Sequence, residues 1–230
     1  QAVEFTGDVV RALNMQERMT LSNMTAELGG QTGLIAPDSN TAAYIKTAGG
    51  PDIDLAQWQT DAGAAFGAHH RFDADSLIPQ VAAPHSPANT QPVNSYPDIE
   101  VDIAYIGACT GAKLSDMRMA AQILNGRNLR SKLLVAPSSK ADQMQAESEG
   151  IMAIFEDAGA TILPNSCGIC AGYGVDRLGE DVTCISSTAR NFQGRMGANS
   201  SRVYLGSPYT VAASAITGRI TDPREFGDAA

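Results

Sequence analysis

From Asp98 onward, short apolar runs alternate with longer helix-like stretches, and this alternation constrains the fold more than any other feature of the chain. It is the pattern of parallel strands joined by crossover helices. Val101 to Ile106, Lys132 to Val135, Thr161 to Leu163, Val182 to Ile185 and Val203 to Leu205 read as strands. Leu114 to Leu124, Ala141 to Ala158 and YTVAASAIT read as helices. The last is opened by Ser207 with Pro208 in its first turn and closed by Gly218. The expected fold class is α/β, a three-layer doubly wound, mostly parallel sheet.

Upstream the pattern changes. The segment VAAPHSPANTQPVNSYP carries Pro84, Pro87, Pro92 and Pro97, a density that excludes helix and central strand and predicts a stiff, extended connection. The expected organisation is a partial first α/β lobe over 1–83, a proline-rich linker over 84–97 and an α/β domain over 98–230. In the first lobe, Asn14 followed by Glu17 predicts a capping box that opens the helix MQERMTLSNMTAEL, which Gly29 and Gly30 close. Asn23 and Glu27 stand four residues apart and share a helix face, turned either to solvent or into a site.

A chain of 230 residues with 43% hydrophobic content is long enough for one large core or two modest ones, and it is not of disordered composition. A formal charge of -9 opposes a nucleic-acid backbone or an anionic membrane surface as partner. No apolar run approaches the ~18 residues of a membrane span, and QAVEFTGDVV lacks the basic start and apolar core of a signal peptide. A cytoplasmic location is the expectation.

In open parallel sheets the ligand crevice lies beyond the carboxyl ends of the strands. There the first strand of the second domain runs into GACTGAK with Cys109, and the third runs into PNSCGICAG with Cys167 and Cys170. The fourth runs into SSTARNFQGRMG with Arg190 and Arg195. Three thiols and two guanidinium groups are thus expected at one sheet edge. Thiolates are soft ligands suited to iron–sulfur clusters or zinc, although a lone C-x-x-C also occurs as a redox pair or by coincidence. Zinc would want a fourth ligand, and His69, His70 and His85 all lie before the expected α/β domain. Three cysteines suit a cubane with one iron left open, a Lewis acid for dehydration of a hydroxy acid whose carboxylates the arginines would hold. The arginines alone read equally as surface or salt-bridged residues. Cys184, within a strand, reads as a buried free thiol.

At these residues the sequence resembles a known family. GACTGAK, CGIC and RNFQGRMG resemble, in order, the signature blocks of the aconitase superfamily. NMTAELGGQTGLIAPD, QVAAPHSPANTQPV and YLGSPYTVAASAITGRITDPREF resemble further blocks of its 3-isopropylmalate dehydratase and homoaconitase large subunits. The likeness spans nearly the whole chain. It implies an aconitase-like fold of two related lobes, with an active-site helix in the first. It also implies a 4Fe-4S cluster on Cys109, Cys167 and Cys170, and substrate carboxylates on Arg190 and Arg195. Glu27 would be an active-site carboxylate and Asn23 its polar neighbour. The implied activity is hydro-lyase chemistry on a malate-type acid, 3-isopropylmalate foremost, with homoaconitase or alkylmalate dehydratase as alternatives.

Two departures stand out: Gly111 and Ala189 occupy positions where many members carry asparagine. Nothing in the chain resembles the family's histidine- and aspartate-bearing N-terminal catalytic domain or its small swivel subunit, so both are expected partners and the isolated chain is expected to be inactive. A non-catalytic iron-responsive binding protein and a degenerate structural subunit are the remaining readings. The retained cysteines and arginines argue against the second of these.

Overall fold

The computed structural model describes residues 1–227. The chain forms two compact units, Gln1–Leu77 and the remainder from Ile78.

The first unit pairs strand β1 (Ala2–Glu4) in parallel with β2 (Thr32–Leu34), and carries helices α1 (Asp8–Ala12), α2 (Met15–Met24) and α3 (Ser39–Thr47). The expected capping box is present: the Asn14 side chain accepts from Glu17 N at 3.0 Å and the Glu17 carboxylate accepts from Asn14 N at 2.8 Å. The helix is shorter than expected. It gives way at Thr25 to a 3₁₀ turn over Thr25–Leu28, and Gly29 ends that turn in the left-handed conformation. No apolar side chain of this unit is fully buried; Arg18 and Thr25 are. Arg18 is its hub. The guanidinium donates to both carboxylate oxygens of Asp38, at 2.9 and 2.7 Å, and to the carbonyls of Leu13 and Arg11. Asp38 in turn caps α3 through the N–H groups of Asn40 and Thr41.

The second unit is a seven-stranded sheet made of β3 (Gln80–Ala82), β4 (Thr90–Pro92), β5 (Ile103–Gly107), β6 (Lys132–Ala136), β7 (Thr161–Ile162), β8 (Thr183–Ser186) and β9 (Arg202–Leu205). Its order is β4-β3-β9-β8-β5-β6-β7. The five strands from β9 to β7 are parallel, and β3 and β4 add an antiparallel edge. The α/β, mostly parallel architecture is the one expected. Its helices are α4 (Ala108–Gly111), α5 (Leu114–Leu124), α6 (Lys140–Ser148), α7 (Ile151–Ala158) and α8 (Pro208–Thr217).

Alternation along the strands builds two cores. Ala104, Ile106, Leu133, Val135, Ile185 and Tyr204 join a core with residues of α5, α7 and α8. Tyr105, Leu134, Ala136, Cys184, Val203 and Leu205 face the other way, onto Ile169, Cys170, Leu178 and Met196. A sheet apolar on both faces must be covered on both. Here the second cover comes from the irregular segment that carries the cysteine and arginine loops. That segment is therefore part of the core, which fixes it more firmly than a surface loop.

Two boundaries differ from expectation. The stretch expected as one helix over 141–158 is broken into α6 and α7 by Gly150, whose φ of 75° lies in the left-handed region that a helix interior cannot hold. The proline-rich stretch expected as a linker over 84–97 belongs to the second unit, and the division falls at Leu77 and Ile78. Pro84, Pro87 and Pro97 lie outside the strands, and Pro92 ends β4, an edge strand where a missing N–H is tolerated. Among the described residues, no helix is long and apolar enough to cross a membrane.

The hydrogen bonds from Arg18 hold the Asp38 carboxyl well below the usual carboxylate range, at about 2. A depressed folded-state value means that this stabilisation is complete above an unfolded value of about 3.9 and is lost as pH falls through about 2. Fluorescence of Trp58, the chain's only tryptophan and a member of this unit, is expected to report loosening across that window. Asp38→Asn is expected to loosen the unit already at neutral pH and to flatten the acid response.

Candidate functional site

The parallel strands end at one edge of the sheet, and the side chains singled out above follow them. The chain leaves β5 for β6 and β7 on one side and returns to β8 and β9 on the other, so β5 and β8 flank the switch in strand order where ligand crevices form.

Immediately after β5, Ala108 adopts φ 64°, an uncommon left-handed conformation for a residue with a side chain. It begins the single turn α4, on which Cys109 is exposed. Two side chains secure that turn. The Ser187 hydroxyl, just past β8, accepts from Gly107 N at 3.2 Å and donates to Gly111 O at 2.9 Å, bracketing Cys109 on both sides. The Lys113 ammonium donates to the carbonyls of Cys109 and Thr110, at 3.2 and 3.1 Å, and pairs with Asp116 at 3.0 Å. Both partners of that pair are buried. Burial raises the Asp116 pKa, and the Lys113 charge and hydrogen bonds oppose the rise.

The second loop holds Cys167, exposed, and Cys170, buried, around a 3₁₀ turn over Gly168–Ala171. The Tyr105 hydroxyl donates to the Cys167 carbonyl at 2.8 Å. Burial pushes the Cys170 thiol up, a hydrogen bond and the positive charge of Arg195 pull it down, and the neighbouring Cys167 and Cys109 thiols push it up again. Cys109, Cys167 and Arg195 thus all lie within electrostatic reach of Cys170. The arginine loop lies directly against the cysteine loop, since a Cβ at Gly172 would stand 2.8 Å from the Arg195 carbonyl oxygen. The Arg195 Nε is buried without a hydrogen-bond partner among the described residues, an unfilled donor next to the thiols. Arg190 is half-buried on the same loop beyond β8. Between the two arginines, Asn191 is fully buried and its amide donates to Ala83 O at 2.8 Å and Val203 O at 3.1 Å, tying the loop to the edge hairpin.

Of the residues expected from the sequence, Cys109, Cys167, Cys170 and Arg195 come together. Asn23 and Glu27 belong to the first unit: Asn23 is exposed in the last turn of α2, and Glu27 is half-buried in the turn that follows. Cys184 is a buried thiol within β8, with its pKa raised by burial. At Gly111, a Cβ would stand 2.2 Å from the Ser187 carbonyl oxygen, so the space an asparagine would need is filled by main chain. Sequence reasoning missed Tyr105, Lys113, Ser187 and Asn191. A tyrosine in an aliphatic strand and a lysine between a strand end and a helix start are faint signals for the first two. Ser187 and Asn191 sit in a polar loop with no distinguishing pattern. Among the described residues, no three His, Cys, Asp or Glu side chains form a group that could hold a metal ion as they stand.

The family described as "Aconitase family (aconitate hydratase)" matches residues 1–100 and 89–218. The chain is 39% identical over 227 residues to the 3-isopropylmalate dehydratase large subunit 1 of Methanopyrus kandleri, covering 98% of this chain and 54% of that protein. It is 40% identical over 240 residues to the chloroplastic 3-isopropylmalate dehydratase large subunit of Arabidopsis thaliana, covering 98% of this chain and 47% of that protein. The chain therefore spans about half the length of the curated relatives it matches. Among solved structures, the holo-form of Thermococcus kodakaraensis aconitase X aligns at 23% identity with a TM-score of 0.31, over 40% of this chain and 23% of that one.

The buried Lys113–Asp116 pair generates a prediction. Lys113→Met leaves the Asp116 carboxylate buried without its cation and removes the donor to two carbonyls of α4. The expected loss is about 3–5 kcal/mol in urea unfolding. Adding Asp116→Leu is expected to recover part of it, because the uncompensated charge goes with it.

Proposed function

The chain belongs to the aconitase family, and on that premise we propose that it is the thiol-bearing part of an iron–sulfur hydro-lyase acting on a malate-type hydroxy acid, 3-isopropylmalate foremost. The observation that carries the reading is the meeting of Cys109, Cys167 and Cys170 from two loops beside the half-buried Arg195, whose Nε is an unfilled donor.

The donor set fits a cubane cluster. It consists of soft thiols from two separate loops, and a cluster of several irons spreads its ligands more widely than a single ion does, so it does not need three side chains already closed on one point. Cys109, Cys167 and Cys170 would hold it. When bound, such a cluster supplies a Lewis-acid iron that makes a substrate hydroxyl a better leaving group.

The chain's own residues would do the rest. Arg190 and Arg195 would take substrate carboxylates, the guanidinium fork fixing the acid in register through paired hydrogen bonds. Arg195 would do so while its charge also favours the thiolate form of Cys170. Glu27 would move a proton during dehydration and rehydration, with Asn23 orienting the same region; both roles rest on the family resemblance. The irregular cover over the second sheet face buries Cys170, while Cys109 and Cys167 stay exposed beside it. Thiols kept reduced suit a reducing compartment such as the cytoplasm. The relatives are named large subunits and are about twice as long, which supports a working enzyme that includes further polypeptide and a small subunit.

Iron and acid-labile sulfide measured after anaerobic purification test the reading. The expectation is about four of each per chain, falling sharply in Cys109→Ser. Zinc instead, or no metal in a folded chain, would remove the mechanism. With the cluster in place, the chain alone is expected to show no turnover of 3-isopropylmalate, and addition of the missing parts is expected to restore it.

A further inference from the structure

Tyr105 is the one aromatic side chain in the strands of the parallel sheet that points toward the thiols, and its surroundings are unusual. It is fully buried in the middle of β5, on the face covered by the cysteine loop. Its hydroxyl donates to the Cys167 carbonyl at 2.8 Å, a contact between residues 62 positions apart. The ring also sets the backbone around it. A Cβ at Gly107 would stand 2.0 Å from the ring, and a Cβ at Gly168 would stand 2.4 Å from the hydroxyl oxygen. Those two glycines flank the two cysteine loops: Gly107 leads into the turn with Cys109, and Gly168 follows Cys167. Neither could carry a side chain with Tyr105 in place.

From this geometry we infer that Tyr105 is the positioning residue that registers the Cys167–Cys170 loop against the strand that delivers Cys109. The need for such a device is physical. The two loops leave different strands, and apolar packing confines their separation without setting it to one value, whereas any group held by all three thiols requires that separation to be constant. A rigid phenol anchored in the central strand spans it with one hydrogen bond. Burial raises the phenol's pKa, so the hydroxyl keeps the proton it donates. A phenylalanine would fill the same space without reaching the carbonyl, and the Cys167 carbonyl would keep only its local donor, Cys170 N at 3.0 Å, losing the one tie to the central strand.

The proposal rests on the cluster reading for its consequence but not for its test. In the full chain, Tyr105→Phe is compared with the parent in two measurements. One is amide hydrogen exchange over residues 166–172, and the other is the rate at which a chelator strips iron from the anaerobic protein. Loss of one buried hydrogen bond is expected to raise both about tenfold, while exchange in β6 and α8 stays at the parent rate. Unchanged loop exchange overturns the proposal. So does an equal rise throughout the sheet, which would make the hydroxyl merely structural. If the parent holds no iron, the cluster reading fails by itself, and loop exchange still decides the role of Tyr105. Should Tyr105→Phe not fold, Gly168→Ala displaces the hydroxyl from the opposite side. The same local rise is then expected, and its absence counts equally against the proposal.

Discussion

Parallel pairing of β5 with both β6 and β8 is the constraint on which the second unit depends. Parallel strands all end at the same edge, so each return of the chain delivers its next residues to one place. The chain uses three of those returns for reactive side chains: Cys109 after β5, the CGIC loop after β7 and the arginine loop after β8. The same pairing buries both faces of the sheet. It thereby obliges the irregular segment between β7 and β9 to act as a core layer, with Ile169, Cys170, Leu178 and Met196 packed onto the strands. A segment that elsewhere would be a mobile surface loop is held by apolar contacts, and the site gains its rigidity from that.

Around this frame the loops are fixed chiefly through main-chain atoms. Ser187 brackets α4, Lys113 gathers two of its carbonyls, Tyr105 reaches the Cys167 carbonyl and Asn191 ties the arginine loop to the edge hairpin. Each is a long-range or turn-spanning hydrogen bond in a buried setting, where an unmade bond costs more than a made one contributes.

The first unit is organised on a different principle. With no fully buried apolar side chain, it depends on the Arg18 guanidinium, whose four hydrogen bonds reach Asp38 and two backbone carbonyls. Asp38 passes that constraint on to α3 as its cap. An ion pair of this kind gives geometry more than free energy, which accords with a unit that carries side chains but little core of its own.

The sequence by itself determined the elements with local causes. The Asn14–Glu17 box, the Ser207–Pro208 start and Gly218 end of α8, and the strands β5, β6, β8 and β9 were legible because caps and alternating apolar residues act within a few positions. The cysteines and arginines were legible as candidates because strand ends in a parallel sheet share an edge. Tertiary structure alone decided the rest. Gly150 splits one expected helix, since its left-handed φ depends on how α6 and α7 must pack. The proline-rich stretch became an edge hairpin because β9 offered it a partner far along the chain. Tyr105, Ser187, Lys113 and Asn191 acquired their roles only through contacts with atoms distant in sequence or across a turn. No local pattern records such contacts, because a hydrogen bond between residues 62 or 108 positions apart leaves no trace in the periodicity of either segment.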